Sequence, residues 1–186
     1  MLPSSHADMK SGWVVWITGL PSAGKSMLAG RLRERLVEGG TSCCVLDGDA
    51  VRAALIPPPS YTPEGRDAFY ATLARLAALL ASQGLVVVVP ATAHKRLYRA
   101  EARALAPRYL EVYVETAAPE CARRDAKGLY AATREGRAAG MPGADVGYEA
   151  PESPDVVATG GLDEHALMRV VAWVAGNGRV VRVPKR

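Results

Sequence analysis

The chain has 186 residues, 49% of them hydrophobic and 23% charged, with a formal net charge of +4. That length suits one domain with a substantial core, and those fractions belong to a soluble globular protein. The longest apolar run, 84–89, is the length of a buried strand and far short of a membrane span, and the arginines are spread over several helical stretches rather than gathered into the aromatic-interleaved basic stripe of a nucleic-acid binder.

Residues 1–12 have no apolar h-region and are expected to be a flexible leader rather than a secretory signal. The first predicted strand is WVVWIT, 13–18. Directly after it, GLPSAGKS (19–26) fits the G-x-x-x-x-G-K-[ST] phosphate loop, and a helical pattern over 24–38 completes the strand–loop–helix order that the motif needs. Gly19 and Gly24 can take backbone angles that turn successive N–H groups inward around a phosphate. With Ser22, Ala23 and Met27 they form the expected ATP-binding segment. Lys25 can reach the outer phosphates, and the Ser26 hydroxyl can ligate Mg²⁺.

The second strand is expected over 42–47. It carries Cys43 and Cys44 on opposite faces, and together with Cys121 these make three cysteines. That number and placement suit neither a disulfide framework nor zinc, and point to a reducing cytoplasm. The strand ends in LDGDAVR (46–52). Asp-Gly is a common turn dipeptide. Asp47 and Asp49 at a strand's carboxyl end beside a phosphate loop also suit Mg²⁺ organisation and activation of an acceptor hydroxyl. Arg52 and Arg66 can fork onto an anion. Tyr61 lies in a Pro-rich stretch, 56–65, that cannot be regular helix or central strand, and it can stack on a base or anchor its loop.

A helix is predicted over 64–83 with Leu73, Leu76, Leu79 and Leu80 on one face, then a strand at 85–91, a helix at 95–106 and a strand at 109–115. His94 follows the third strand and can contact an acceptor there. The helical stretch 119–139 carries Arg123, Arg124 and Lys127 and breaks at Gly128, which is the form of a closing lid. The Gly- and Pro-rich segment 138–154 extends that lid. A short strand at 154–159 and a helix at 163–176 close the chain. Strands that alternate with helices imply an α/β, three-layer P-loop NTPase-type fold with a mainly parallel five-stranded sheet. The expected organisation is one kinase domain, 13–186, with its lid near 121–154.

The pieces TGLPSAGKS, LDGDAVR, Arg66, Arg99, LEVYVET, CARRDAKGLY and GADVGYEAPESPDVV occur in the order found in adenylylsulfate (APS) kinases, which the chain resembles over most of its length. The resemblance implies transfer of the γ-phosphoryl of ATP to the 3′-hydroxyl of adenosine 5′-phosphosulfate, with Mg²⁺, in a cytoplasmic enzyme of sulfate assimilation whose relatives are often homodimers. It implies that Gly24, Lys25 and Ser26 hold ATP and Mg²⁺, that Asp47 serves the metal and that Asp49 is the base. It further implies that Arg52 and Arg66 bind the phosphosulfate, that Tyr61 stacks on the base and that Lys127 closes over the substrate. Phe69 stands where the family has Asn, Thr92-Ala93-His94 where it has Ile-Ser-Pro, Ser60-Tyr61 where it has Gly-Phe, and 144–149 lacks one Asp and the Pro of IDDPYE. All these departures fall on the acceptor half, which is expected to be more apolar near Arg66. Two alternatives follow: a related kinase for another small anionic acceptor, and a non-catalytic nucleotide binder. Survival of Lys25, Ser26, Asp47 and Asp49 weighs against the second.

Overall fold

The computed structural model describes residues 11–125, 128–137 and 139–176. Its strands are β1 (Trp13–Thr18), β2 (Cys43–Val45), β3 (Val86–Pro90), β4 (Tyr109–Val114) and β5 (Val156–Ala158). Its helices are α1 (Lys25–Glu38), α2 (Gly48–Ala54), α3 (Pro63–Ser82), α4 (Arg96–Leu105), α5 (Ala118–Arg124), α6 (Leu129–Arg134) and α7 (Glu164–Val174). The strands form a single sheet in the order β2-β3-β1-β4-β5, and every pairing is parallel. The register is fixed by Trp13 opposite Val86 and Val14 opposite Tyr109.

The valine runs explain the layering. A strand covered by helices on both faces is apolar at every position, not at alternate ones. Val86 to Pro90 is buried throughout, and β1 is buried from Val14 onward. One face packs under α1 and α7 through Leu28, Leu32, Leu36, Leu167 and Val170. The other packs under α3 and α4 through Phe69, Leu73, Ala77, Tyr98 and Ala102. Cys43 joins the first cluster and Cys44 the second, so the two thiols do face opposite ways.

Three expectations are revised. The buried side of α3 is Phe69, Tyr70, Leu73, Ala74, Ala77 and Ala81, whereas Leu79 is exposed. Alanines let the helix lie close to the valine-rich sheet, so the leucine spacing was a poor guide to the inward face. The helix also begins inside the stretch read as irregular: Pro63 occupies its first turn, and the Thr62 hydroxyl accepts from Gly65 N at 3.2 Å. The last two residues of the expected leader are docked, since Gly12 N donates to Ala81 O at 2.8 Å and Arg108 reaches Ser11 O.

Because the strands are parallel, all five carboxyl ends open on one edge of the sheet. The segments after β1, β2, β3, β4 and β5 therefore converge there.

Candidate active site

A cleft of about 880 Å³ lies along that edge, lined by residues of the loops after β1, β2, β3 and β5 and of α5. Its floor is the phosphate loop. Gly19, Ser22 and Gly24 all have positive φ, at 148°, 62° and 108°. A side chain at Gly19 would meet Val114 O at 2.6 Å, and one at Gly24 would meet Gly161 N at 2.6 Å. Both glycines are thus demanded by close backbone approach as well as by conformation. Lys25 Nζ donates to Gly19 O at 3.0 Å and Leu20 O at 2.8 Å, folding back across the loop. Ser22, Gly24, Lys25, Ser26 and Met27 line the cleft. Ala23 is fully buried beneath it, and Gly19 lies at the loop's root.

Asp47 is the N-cap of α2, a helix that the sequence reading left out. Its Oδ1 accepts from Asp49 N at 3.0 Å and Ala50 N at 3.3 Å. Its Oδ2 accepts from the Ser26 hydroxyl at 3.1 Å. The DGD stretch is thus a helix cap, and its second carboxylate oxygen is turned to the phosphate loop. Asp49 is in the first turn of α2, exposed on the cleft wall. Ser26 and Asp47 offer two hard oxygens at one point, which fits Mg²⁺, an ion that takes one or two protein oxygens beside water and phosphate. Among the described residues no group of three or more His, Cys, Asp or Glu is placed to hold a metal, so the protein alone builds no closed cage.

The opposite wall carries Arg52, Tyr61, Arg66, Phe69 and Tyr70. Arg52 is only 8% exposed. Its guanidinium lies between two rings, 3.9 Å from the Phe69 centroid and 4.4 Å from that of Tyr61. It donates to Pro59 O at 2.9 Å and Ser60 O at 3.1 Å. Arg66 donates to Tyr61 O at 2.9 Å and also to Gly140 O. The two arginines thus hold the Pro-rich loop and reach the segment after α6. Tyr61 is 63% exposed at the loop's tip.

His94 is not on the cleft wall. It is buried, with its ring 5.5 Å from that of Tyr98 and 6.5 Å from that of Tyr70. Ala93 takes φ 41° and turns the chain inward at this point. Burial first, then Arg66 and Lys95, push the imidazole below its ordinary value. Thr92 lines the cleft in its place. Lys127 lies outside the described residues.

Of the expected lid, α5 presents Arg123 and Arg124 to the cleft. Both pair with Glu120, Arg123 through two bonds of 2.8 and 2.9 Å, and these partners, Arg123 foremost, hold the Glu120 carboxyl down at about 2. The far part of the segment is fastened to the body. The Asp145 carboxylate accepts from Gly140 N and Met141 N. The Tyr148 hydroxyl meets Thr18 Oγ1 at 3.0 Å, and Glu149 bonds to Arg96 N at 2.7 Å. The sequence reading missed Thr159, Gly160, Gly161, Leu162 and Asp163, which also line the cleft, with Gly161 against Gly24 of the phosphate loop. A Gly-Gly pair directly after a strand was the available signal: a side chain at Gly161 would meet Gly24 O at 2.7 Å.

A phosphate loop on a 2-3-1-4-5 parallel sheet, with a carboxylate after β2 bonded to the loop's serine, defines a P-loop kinase. The profile of the adenylylsulphate kinase family matches residues 11–159, and the chain belongs to that family. It is 44% identical over 153 residues to the adenylyl-sulfate kinase of Chloroflexus aurantiacus, covering 82% of each chain. It is 41% identical over 147 residues to that of Paraburkholderia xenovorans, covering 78% of this chain and 82% of the relative. It also matches a probable bifunctional SAT/APS kinase 2 of Sorangium cellulosum at 38% identity, spanning 30% of that longer protein. The structure of the Mycobacterium tuberculosis APS kinase in complex with AMPPNP and APS superposes with a TM-score of 0.81 at 35% identity, over 88% of this chain and 98% of the other.

Proposed function

We propose that the protein transfers the γ-phosphoryl of ATP to the 3′-hydroxyl of adenosine 5′-phosphosulfate. The observation that carries this reading is that a phosphate loop and the Ser26–Asp47 pair face a wall of Arg52, Arg66, Tyr61 and Phe69 across one cleft. A nucleotide that bears anionic groups at its 5′ end needs both an aromatic surface and arginine forks. Its similarity to the relative solved with AMPPNP and APS supports the same pair of ligands here.

In this reading Gly24, Lys25 and the loop N–H groups hold the triphosphate, and Ser26 and Asp47 would hold Mg²⁺, which would offset phosphate charge. Asp49 accepts the proton of the acceptor hydroxyl as its oxygen bonds to the γ-phosphorus, and ADP leaves. Arg52, Arg66, Tyr61 and Phe69 orient the acceptor. His94 acts behind the wall by packing on Tyr70. The free thiols Cys43, Cys44 and Cys121 support a cytoplasmic setting.

A coupled assay of ADP release with APS and a panel of other nucleotides tests the assignment. APS-dependent turnover with a raised KM is the expected result, because Arg52 Nη1 is already taken by two loop carbonyls and Phe69 offers the acceptor no hydrogen bond. Turnover with another anionic nucleotide and none with APS would replace APS as the acceptor. No acceptor-dependent turnover at all would leave a nucleotide binder.

A further inference from the structure

The carbonyls of the phosphate loop are held from behind. Ala23 O accepts from Thr116 Oγ1 at 3.1 Å and from Arg124 Nη1 at 3.4 Å. Pro21 O accepts from the Tyr130 hydroxyl at 3.2 Å. Pro21 directly precedes Ser22, whose φ of 62° is rare for a residue with a side chain. The Tyr130 bond therefore falls on the strained tip of the loop. Carbonyls held from behind leave the N–H groups of the same peptides to point into the cleft, where phosphate oxygens would accept from them.

Tyr130 is well placed to transmit movement. It lies in the first turn of α6, only 7% exposed, with its ring in the core cluster that also contains Leu28 and Cys121. The start of α6 is pinned by Asp125, whose carboxylate accepts from Tyr130 N and Ala131 N at 3.0 Å each. Asp125 and Gly128 both have positive φ, 22° and 66°, and Gly128 N bonds to Asp125 O at 2.9 Å. That bond lies directly before the helix that carries the tyrosine. Burial pushes the phenol up to about 12.

We infer that Tyr130 is a positioning residue whose hydroxyl couples α6 to the tip of the phosphate loop, so that nucleotide in the loop and the placement of α6 stabilise each other. The coupling rests on the phosphate-loop part of the proposed function and not on the identity of the acceptor. It is reciprocal: whatever nucleotide does to α6, fixing α6 does to nucleotide affinity.

The test is hydrogen exchange of peptides covering 129–137, with and without ADP–Mg²⁺, alongside calorimetry of ADP binding. Tyr130→Phe keeps the ring and removes only the hydroxyl. Thr116→Val removes a neighbouring anchor of the loop without touching α6. In the wild type, ADP is expected to slow exchange in α6. Tyr130→Phe should lose that slowing and bind ADP about fivefold more weakly, the effect of one hydrogen bond of ordinary strength. Thr116→Val should keep the slowing even where its affinity falls. The inference is overturned if Tyr130→Phe retains the full response of α6, if its ADP affinity stays within twofold of wild type, or if Thr116→Val uncouples α6 equally. Wild-type protein that bound no ADP would overturn the phosphate-loop reading together with the coupling.

Discussion

Asp47 divides its two carboxylate oxygens between structure and chemistry, one capping α2 and the other accepting from Ser26. Asp49, in the first turn of the same helix, enters that cap through its backbone N–H, so its carboxylate can be changed with that bond kept. Asp49→Asn is expected to lower kcat by roughly 10²-fold, the scale of lost general-base assistance, while ADP and ATP affinities change little. Calorimetry that showed ATP–Mg²⁺ binding collapse would move Asp49 to a metal role. Lys25→Ala should be as severe, for a different reason. Its ammonium is held at the loop by two carbonyls, ready to meet phosphate charge, and losing such a group costs on the order of 3 kcal/mol in the transition state, about a hundredfold in rate. A variant that kept more than about a tenth of wild-type kcat would contradict that role.

Arg99 shows how neighbouring segments are bolted together. It is 3% exposed and pairs with Glu111 of β4 at 2.7 Å. It also donates to Ala93 O after β3 and, at 2.6 Å, to Glu149 O. Three parts of the chain meet on one guanidinium, and a lysine cannot reproduce that fork. Arg99→Met should lower unfolding free energy by about 3 kcal/mol, because Glu111 would keep only its longer contact with Arg103. Denaturant titration measures this, and Arg99→Lys should recover little of it. The phosphate loop and the places of the five strands along the chain were legible because they are written in local sequence: a valine run, a glycine pattern and a helix start. Their order in the sheet was not, because it joins distant segments. Helix α2 was not, since seven residues with Gly48 and Asp49 in the first turn carry no apolar period. The Gly160–Gly161 contact with Gly24 was hidden for a different reason, because it joins segments more than a hundred residues apart. His94 misled because position at a strand's end was legible and the inward turn at Ala93 was not.

The sheet carries two cores, and on the α3–α4 side the packing ends in an aromatic cage that couples the molecule's stability to pH. Tyr70 and Tyr98 stack at 4.4 Å with His94 against both. Nδ1 of His94 is buried and has no hydrogen-bond partner among the described residues. Arg66 and Lys95 oppose a charge there, whereas Glu149 and Asp67 favour it less strongly than burial disfavours it, so the folded pKa lies below the ordinary 6.5. A histidine held neutral by folding contributes stability above its unfolded pKa and loses it as pH falls towards the folded one, because the unfolded chain takes up the proton first. The midpoint of thermal unfolding should therefore fall from pH 7 to pH 5 by more in the wild type than in His94→Leu, which fills the cage without a titrating group. Parallel declines in the two proteins would place the pH dependence elsewhere. The same substitution leaves the Glu149 N to His94 O bond of 2.8 Å in place, since it is made by backbone, so a change confined to the pH slope isolates the imidazole.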